Sequence, residues 1–424
     1  MTSRYLDGAH LDEIAATLRD RPSLRSAGRW FDGTIGIGCD GARVSVRIDS
    51  GQVLHVRRGQ GMRGTTFAID ANTAAWDTWV RGRSRDFSRL LYTGALRVSG
   101  DRMEFGRSVL LASELLAALR DYYRDRDAGA VDAGAPDGGA VDAGAPDADQ
   151  SDKNSAVIRG AYTDVDGLRV FAEECGEGRP VVLLHTAGLD GSQWRYVLPE
   201  LARRGYRAIA PDLPGHGRSD MPPGGPLRDV PSLADAVGRF CAASGLTRYS
   251  VVGCSVGGDI TLSLGVRFPD NVAALVACAA ADHTPSASRM FLELSQDSAG
   301  AAGWNDMFRL NCLACTGDAI PADRLDRLLY AHATANHLLG TADLIAWNGH
   351  DIRDTVARIA CPALLVHGSY DFFVDREAII RTADAIPGGE FVELPEIGHY
   401  PMVEDTKLGG RIADFLDRSS GPGN

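Results

Sequence analysis

A chain of 424 residues, at about 100–200 residues per domain, holds about two to four domains. Its 44% hydrophobic, 24% charged and 7% aromatic content excludes a wholly disordered or fibrous protein. The net charge of −12 is uneven: 20 Arg and no Lys face 15 acids through Arg126, a balance of +5, and the remainder carries −17, which argues against nucleic acid as the main partner.

The chain opens with MTSRYLDGAHLDEIAATL, where acids stand among the apolar residues and no signal-peptide core forms. With eight cysteines, a number that fits a reducing compartment, the expected location is cytoplasmic. Ala42–Asp49 alternates apolar and polar residues, then Asp49-Ser50-Gly51 turns into Gln52–Arg57, which predicts a β-hairpin. Thr65–Asp70 reads as a further strand, and Asn72 can cap a helix carrying Trp76 and Trp79. Leu96–Phe105 leads into a helix ending near Tyr123, with Leu110, Leu111, Leu115, Leu116 and Leu119 on one side.

This pattern, over roughly Gly33–Arg120, resembles the sterol carrier protein type-two family. The resemblance implies a small α+β domain over residues 1–126, in which a helix-covered sheet encloses an apolar tunnel for lipids or fatty-acyl chains. A closed core without a ligand would give the same periodicity. The ten residues Gly129–Gly138 and the next ten, Gly139–Ala148, form an imperfect tandem repeat of Ala, Gly, Pro and Asp. Such a segment cannot offset its ordering entropy by burial, so residues 127–154 are expected to be a flexible linker.

Beyond it, short apolar or alternating runs predict strands at Leu168–Glu174, Val181–His185, Tyr206–Asp212, Ser250–Ser255, Ala273–Ala279, Ala363–His367 and Phe391–Leu394. Helical patterns follow at Leu233–Ala243, Ile260–Arg267 and Arg376–Ala385. That alternation implies a mostly parallel sheet covered on both faces. The strand pattern lapses over about 284–353, which reads as a helical cap. The most continuously apolar stretch, Val272–Ala281, is too short to span a bilayer.

Gly253-Cys254-Ser255-Val256-Gly257 is a G-x-S-x-G sequence between a predicted strand and a predicted helix. Such a turn exposes the Ser255 hydroxyl above a helix N-terminus, where negative charge is favoured. A serine nucleophile needs a base, and the base an orienting acid. His399 follows the last predicted strand and Asp371 the one before, giving the order Ser255, Asp371, His399. Asp282, after the Ala273–Ala279 strand, is a second candidate for the acid. His185 and His216 read as structural, and His350 as holding a turn. Cys312-Leu-Ala-Cys315 has metal spacing but no second ligand pair, so it reads as buried thiols.

Together with Pro180–Trp194 and Ala210–Asp220, these segments resemble the α/β-hydrolase family over about Ser155–Leu416, so that residues 155–418 are expected to form an α/β-hydrolase domain. The resemblance implies an oxyanion hole of backbone amides after the nucleophile and after the third strand, hence Val256 and Ala187. Thr186 stands where the family usually has Gly, which leaves open which amide points inward. Ser255 excludes the dehalogenases and epoxide hydrolases of this fold, which need Asp at that position.

The expected activity is a serine hydrolase acting on a small-molecule apolar carboxylic ester, lactone or thioester, with no metal or organic cofactor and no nucleic-acid partner. Acyl transfer, C–C bond hydrolysis and perhydrolysis would use the same three residues. A lipid carrier with a degenerate hydrolase domain is the alternative of another class, against which stands the complete set of three.

Overall fold

The computed structural model describes residues 4–6, 10–59, 64–82, 86–129, 157–284 and 298–419. The chain divides into two compact units, Met1–Ser155 with Ser298–Met307, and Ala156–Asp297 with Phe308–Asn424. Most of the predicted linker, 130–154, lies outside the described residues; residues 127–129, assigned to it from sequence, belong instead to the end of a helix.

In the first unit, helices α1 (Leu11–Arg19) and α2 (Pro22–Ala27) precede strands β1 (Asp32–Cys39), β2 (Ala42–Asp49), β3 (Gln52–Arg58) and β4 (Phe67–Ala71). Then come α3 (Thr73–Arg81), α4 (Phe87–Tyr92), β5 (Arg97–Gly100), α5 (Arg102–Arg107) and α6 (Val109–Gly129). The sheet order is β3-β2-β1-β4-β5, with β1 and β4 parallel and the other pairs antiparallel. Asp49 pairs with Gln52 across Ser50 and Gly51, whose φ angles of 50° and 76° make the mirror-image turn that suits a hairpin's twist. Asn72 caps α3 by accepting from the Ala75 amide at 2.8 Å. The buried indoles of Trp76 and Trp79 donate to the carbonyls of Gly38 and Leu116. Sequence periodicity misses β1 altogether, because its glycines hide the alternation. A Cβ on Gly36 would come within 2.9 Å of the Ala68 methyl, so the close approach of β4 excludes larger residues there.

The second unit contains β6 (Arg159–Val165), β7 (Leu168–Cys175), β8 (Arg179–Leu184), α7 (Leu198–Arg203), β9 (Tyr206–Pro211), α8 (Val230–Ala243), β10 (Tyr249–Cys254), α9 (Val256–Arg267) and β11 (Val272–Cys278). It continues with the part of α10 (Ser298–Cys315) from Phe308 on, the earlier part belonging to the first unit, then α11 (Ala322–Thr334), α12 (His337–Asn348), β12 (Ala363–Gly368), α13 (Arg376–Ala385), β13 (Glu390–Leu394), α14 (Pro401–Glu404) and α15 (Leu408–Ser419). Its strands run in the order β13-β12-β11-β10-β8-β9-β7-β6. From β8 to β13 the neighbours are parallel, and β7 and β6 add an antiparallel edge, so the sheet is mixed. Strand β6 escapes sequence reading because most of its side chains are exposed, leaving no apolar alternation. The central strands β8 and β10 are buried on both faces, as parallel strands under helices must be. Between β11 and β12 the described residues form helices and turns with no strand. No helix among the described residues is long and apolar enough to cross a membrane.

Candidate active site

Ser255 sits between the end of β10 and the start of α9 with φ 57° and ψ −125°, a strained conformation for a residue with a Cβ. Its neighbours hold it there. The Ser255 amide donates to the Cys278 carbonyl on β11 at 3.0 Å, while the Gly258 and Asp259 amides donate to the Ser255 carbonyl at 2.8 and 3.0 Å. A Cβ on Gly257 would lie 2.5 Å from the carbonyl oxygens of both Leu184 and His185, so only glycine lets α9 approach β8 this closely. Cys254 is fully buried, its thiol donating to the His399 carbonyl at 3.2 Å, and burial pushes its pKa well up.

Asp371 and His399 follow β12 and β13. The Asp371 carboxylate accepts from His399 Nδ1 at 2.8 Å and from the Phe373 amide at 2.8 Å. Burial alone would raise the Asp371 pKa, but the charge and hydrogen bond of His399 outweigh it and hold the carboxyl below its ordinary value. The His399 loop is itself anchored. Its amide donates to the Cys315 carbonyl at 2.8 Å, and the buried Glu404 carboxylate accepts from the amides of Gly317, Gly398 and Tyr400 at 2.6–2.9 Å. Asp282 takes another partner, His283 Nδ1 at 2.7 Å.

The loop after β8 has a distinctive set of amide partners. Thr186 donates its amide and hydroxyl to Gln193 Oε1 at 2.9 and 3.1 Å, and Gly188 donates to Asp343 Oδ2 of α12 at 2.7 Å. Between them, the Ala187 amide has no acceptor among the described residues, and the same holds for Val256 at the start of α9. His185 contacts the Thr186 carbonyl through Nδ1 and accepts from the Leu213 amide at Nε2, so its ring ties the loop together. His216 Nε2 reaches Asp343 Oδ2 at 2.9 Å and its Nδ1 lies 3.2 Å from the Pro214 carbonyl. His350 is buried beside the turn after α12, and burial lowers its pKa to about 4. Cys312 and Cys315 of α10 are buried and in no disulfide among the described residues.

Ser255, His399, Thr186 and Ala187 line one cavity, together with Phe308 and Asn311 of α10, Leu344 and Trp347 of α12, and Phe373 and Tyr400. Asp371 stands behind His399. Val256 opens the helix that Ser255 caps. Sequence periodicity offered no sign of Asn311, Asp343, Leu344 or Trp347, since inward-facing positions of a cap helix have the same spacing as ordinary core positions.

The family model for the alpha/beta hydrolase fold matches residues 179–348, a span that includes Ser255 and ends before Asp371. A pimeloyl-[acyl-carrier protein] methyl ester esterase of Chromobacterium violaceum is 32% identical over 246 residues, covering 56% of this chain and 93% of the relative. A 2-hydroxy-6-oxo-2,4-heptadienoate hydrolase of Pseudomonas putida is 27% identical over 270 residues, covering 59% and 93%. Among solved structures, the enol-lactonase of Burkholderia xenovorans LB400 shares the fold at a TM-score of 0.54 and 22% identity, covering 61% of this chain and all of that one. The chain belongs to the α/β-hydrolase fold family, and it is an enzyme of the hydrolase class.

Proposed function

We propose that the protein is a serine hydrolase that cleaves an apolar carboxylic ester, lactone or thioester with Ser255 as nucleophile, His399 as base and Asp371 as its orienting acid. The observation that carries this reading is the 2.8 Å pair of Asp371 and His399 Nδ1, with His399 and Ser255 lining the same cavity. A carboxylate on Nδ1 fixes the proton there and leaves Nε2 free to take one from Ser255. Ser255 Oγ attacks the carbonyl carbon as His399 takes its proton. The oxyanion rests on the Ala187 and Val256 amides, supported by their lack of other acceptors. His399 then protonates the leaving alkoxide or thiolate, and the same base activates a water that releases the acid from Ser255. The apolar lining from Phe308, Leu344, Trp347 and Phe373 favours a hydrocarbon-rich substrate.

For the first unit the proposed role is an apolar carrier of the sterol-carrier type, supported by its five-stranded sheet with accompanying helices. Purified residues 1–129 failing to bind a fluorescent fatty acid would refute that role.

A fluorophosphonate probe tests the hydrolase reading directly. Wild-type protein should be labelled at Ser255 and hydrolyse simple esters, and Ser255→Ala should lose both, with turnover down by about 10⁶. Turnover near the wild-type level in Ser255→Ala would refute it.

A further inference from the structure

Asn311 is out of keeping with the cavity it lines. Around it stand Phe308, Leu344, Trp347, Phe373 and the Tyr400 ring, whereas Asn311 presents a primary amide. It lies three residues after Phe308 on α10, so the two share a helix face. The residue is 4% exposed, and its Nδ2 is buried with no hydrogen-bond acceptor among the described residues. A buried amide donor without an acceptor costs stability that a leucine of similar size would not. Gln193 Nε2, Asp343 Oδ1 and both His332 ring nitrogens are also buried without a partner among the described residues, but of all these only Asn311 lines the cavity.

We propose that Asn311 is a specificity-determining residue whose Nδ2 donates to a second oxygen on the substrate, a neutral carbonyl or hydroxyl on the acyl chain. This rests on the serine hydrolase reading above. The acyl chain is the part placed here because it takes part in both halves of that reaction, bonding to Ser255 in the first and leaving it in the second. The oxygen is neutral because the lining among the described residues holds no Arg or Lys, and a carboxylate would be desolvated there without a counter-charge.

Four esters of similar length read this out: ethyl hexanoate, ethyl 4-oxohexanoate, ethyl 5-oxohexanoate and monoethyl adipate. Wild-type kcat/KM should favour one oxo ester over ethyl hexanoate by about fivefold to tenfold, the worth of one well-placed hydrogen bond, and should disfavour the adipate. Asn311→Leu should collapse that ratio towards one, mainly through KM. Equal kcat/KM across the neutral esters in wild type would overturn the proposal, and so would an Asn311→Leu variant that keeps the ratio. Preference for the adipate would overturn the neutral class. The wild-type series decides the matter even if the variant fails to fold. If fluorophosphonate labels Ser255 and ethyl hexanoate is hydrolysed without any oxo preference, this proposal alone fails. If neither occurs, the serine hydrolase reading fails and takes this one with it.

Discussion

At the scale of single residues, the pairing of His399 decides what the cavity can do. A neutral imidazole has one N–H, and whichever acceptor holds it dictates which nitrogen faces Ser255. Asp371 lies 2.8 Å from Nδ1, while Asp282 is committed to His283 at 2.7 Å. Asp371→Asn is therefore expected to lower kcat by about 10⁴, because an amide cannot hold the same tautomer. Asp282→Asn should leave kcat largely intact. Steady-state kinetics of the two variants check this, and the reverse ranking would make Asp282 the acid.

Elements meet at Asp343. This buried carboxylate of α12 accepts from the Gly188 amide and contacts His216, so one cap side chain ties together the loop after β8 and the loop after β9. Burial pushes the His216 pKa down, but the charge and hydrogen bond of Asp343, with the Pro214 carbonyl, raise it above 6.5 overall. A raised histidine contributes stability that is fully present below the unfolded value and fades as pH climbs through the folded one. Asp343→Asn should accordingly melt well below wild type at pH 6, with the gap narrowing towards pH 9. Breaking a buried pair of this kind costs about 3–5 kcal/mol when the histidine is charged. Thermal melts across that range are the check, and a gap that widens with pH would contradict the pairing. With the Gly188 anchor altered, kcat should also fall by more than KM rises, since the adjacent Ala187 amide is the proposed donor to the developing oxyanion.

For the molecule as a whole, Ser255, Asp371, His399, Ala187, Val256 and the described cavity lining belong to the second unit. A chain beginning at Ala156 should therefore fold and hydrolyse a short ester with kcat/KM within about threefold of the full chain, since each hydrogen bond of the site is retained. Expression of residues 156–424 followed by labelling and kinetics tests this. If the first unit carries apolar substrate, the shortened chain should lose activity on long-chain esters while sparing short ones. Equal losses on both would point to a structural rather than a carrier role.

Local pattern specifies the elements whose burial repeats at a fixed period and the residues that mark sharp turns. Helix Arg376–Ala385 and the hairpin around Ser50-Gly51 could be read from local pattern because each is specified by neighbours in the chain. Ser255, Asp371 and His399 could be placed after β10, β12 and β13 for the same reason, as turn residues following apolar runs. Strands β1 and β6 could not, because glycine in one and exposure in the other remove the alternation that reports a buried face. Which amide after His185 lacks a partner was open until Gln193 and Asp343 took Thr186 and Gly188, the latter across 155 residues. Asn311 likewise has the spacing of a core residue, and only the tertiary arrangement that brings α10 and α12 to one cavity makes it part of a lining. Local periodicity records that a side chain is buried; the tertiary structure alone decides what it is buried against.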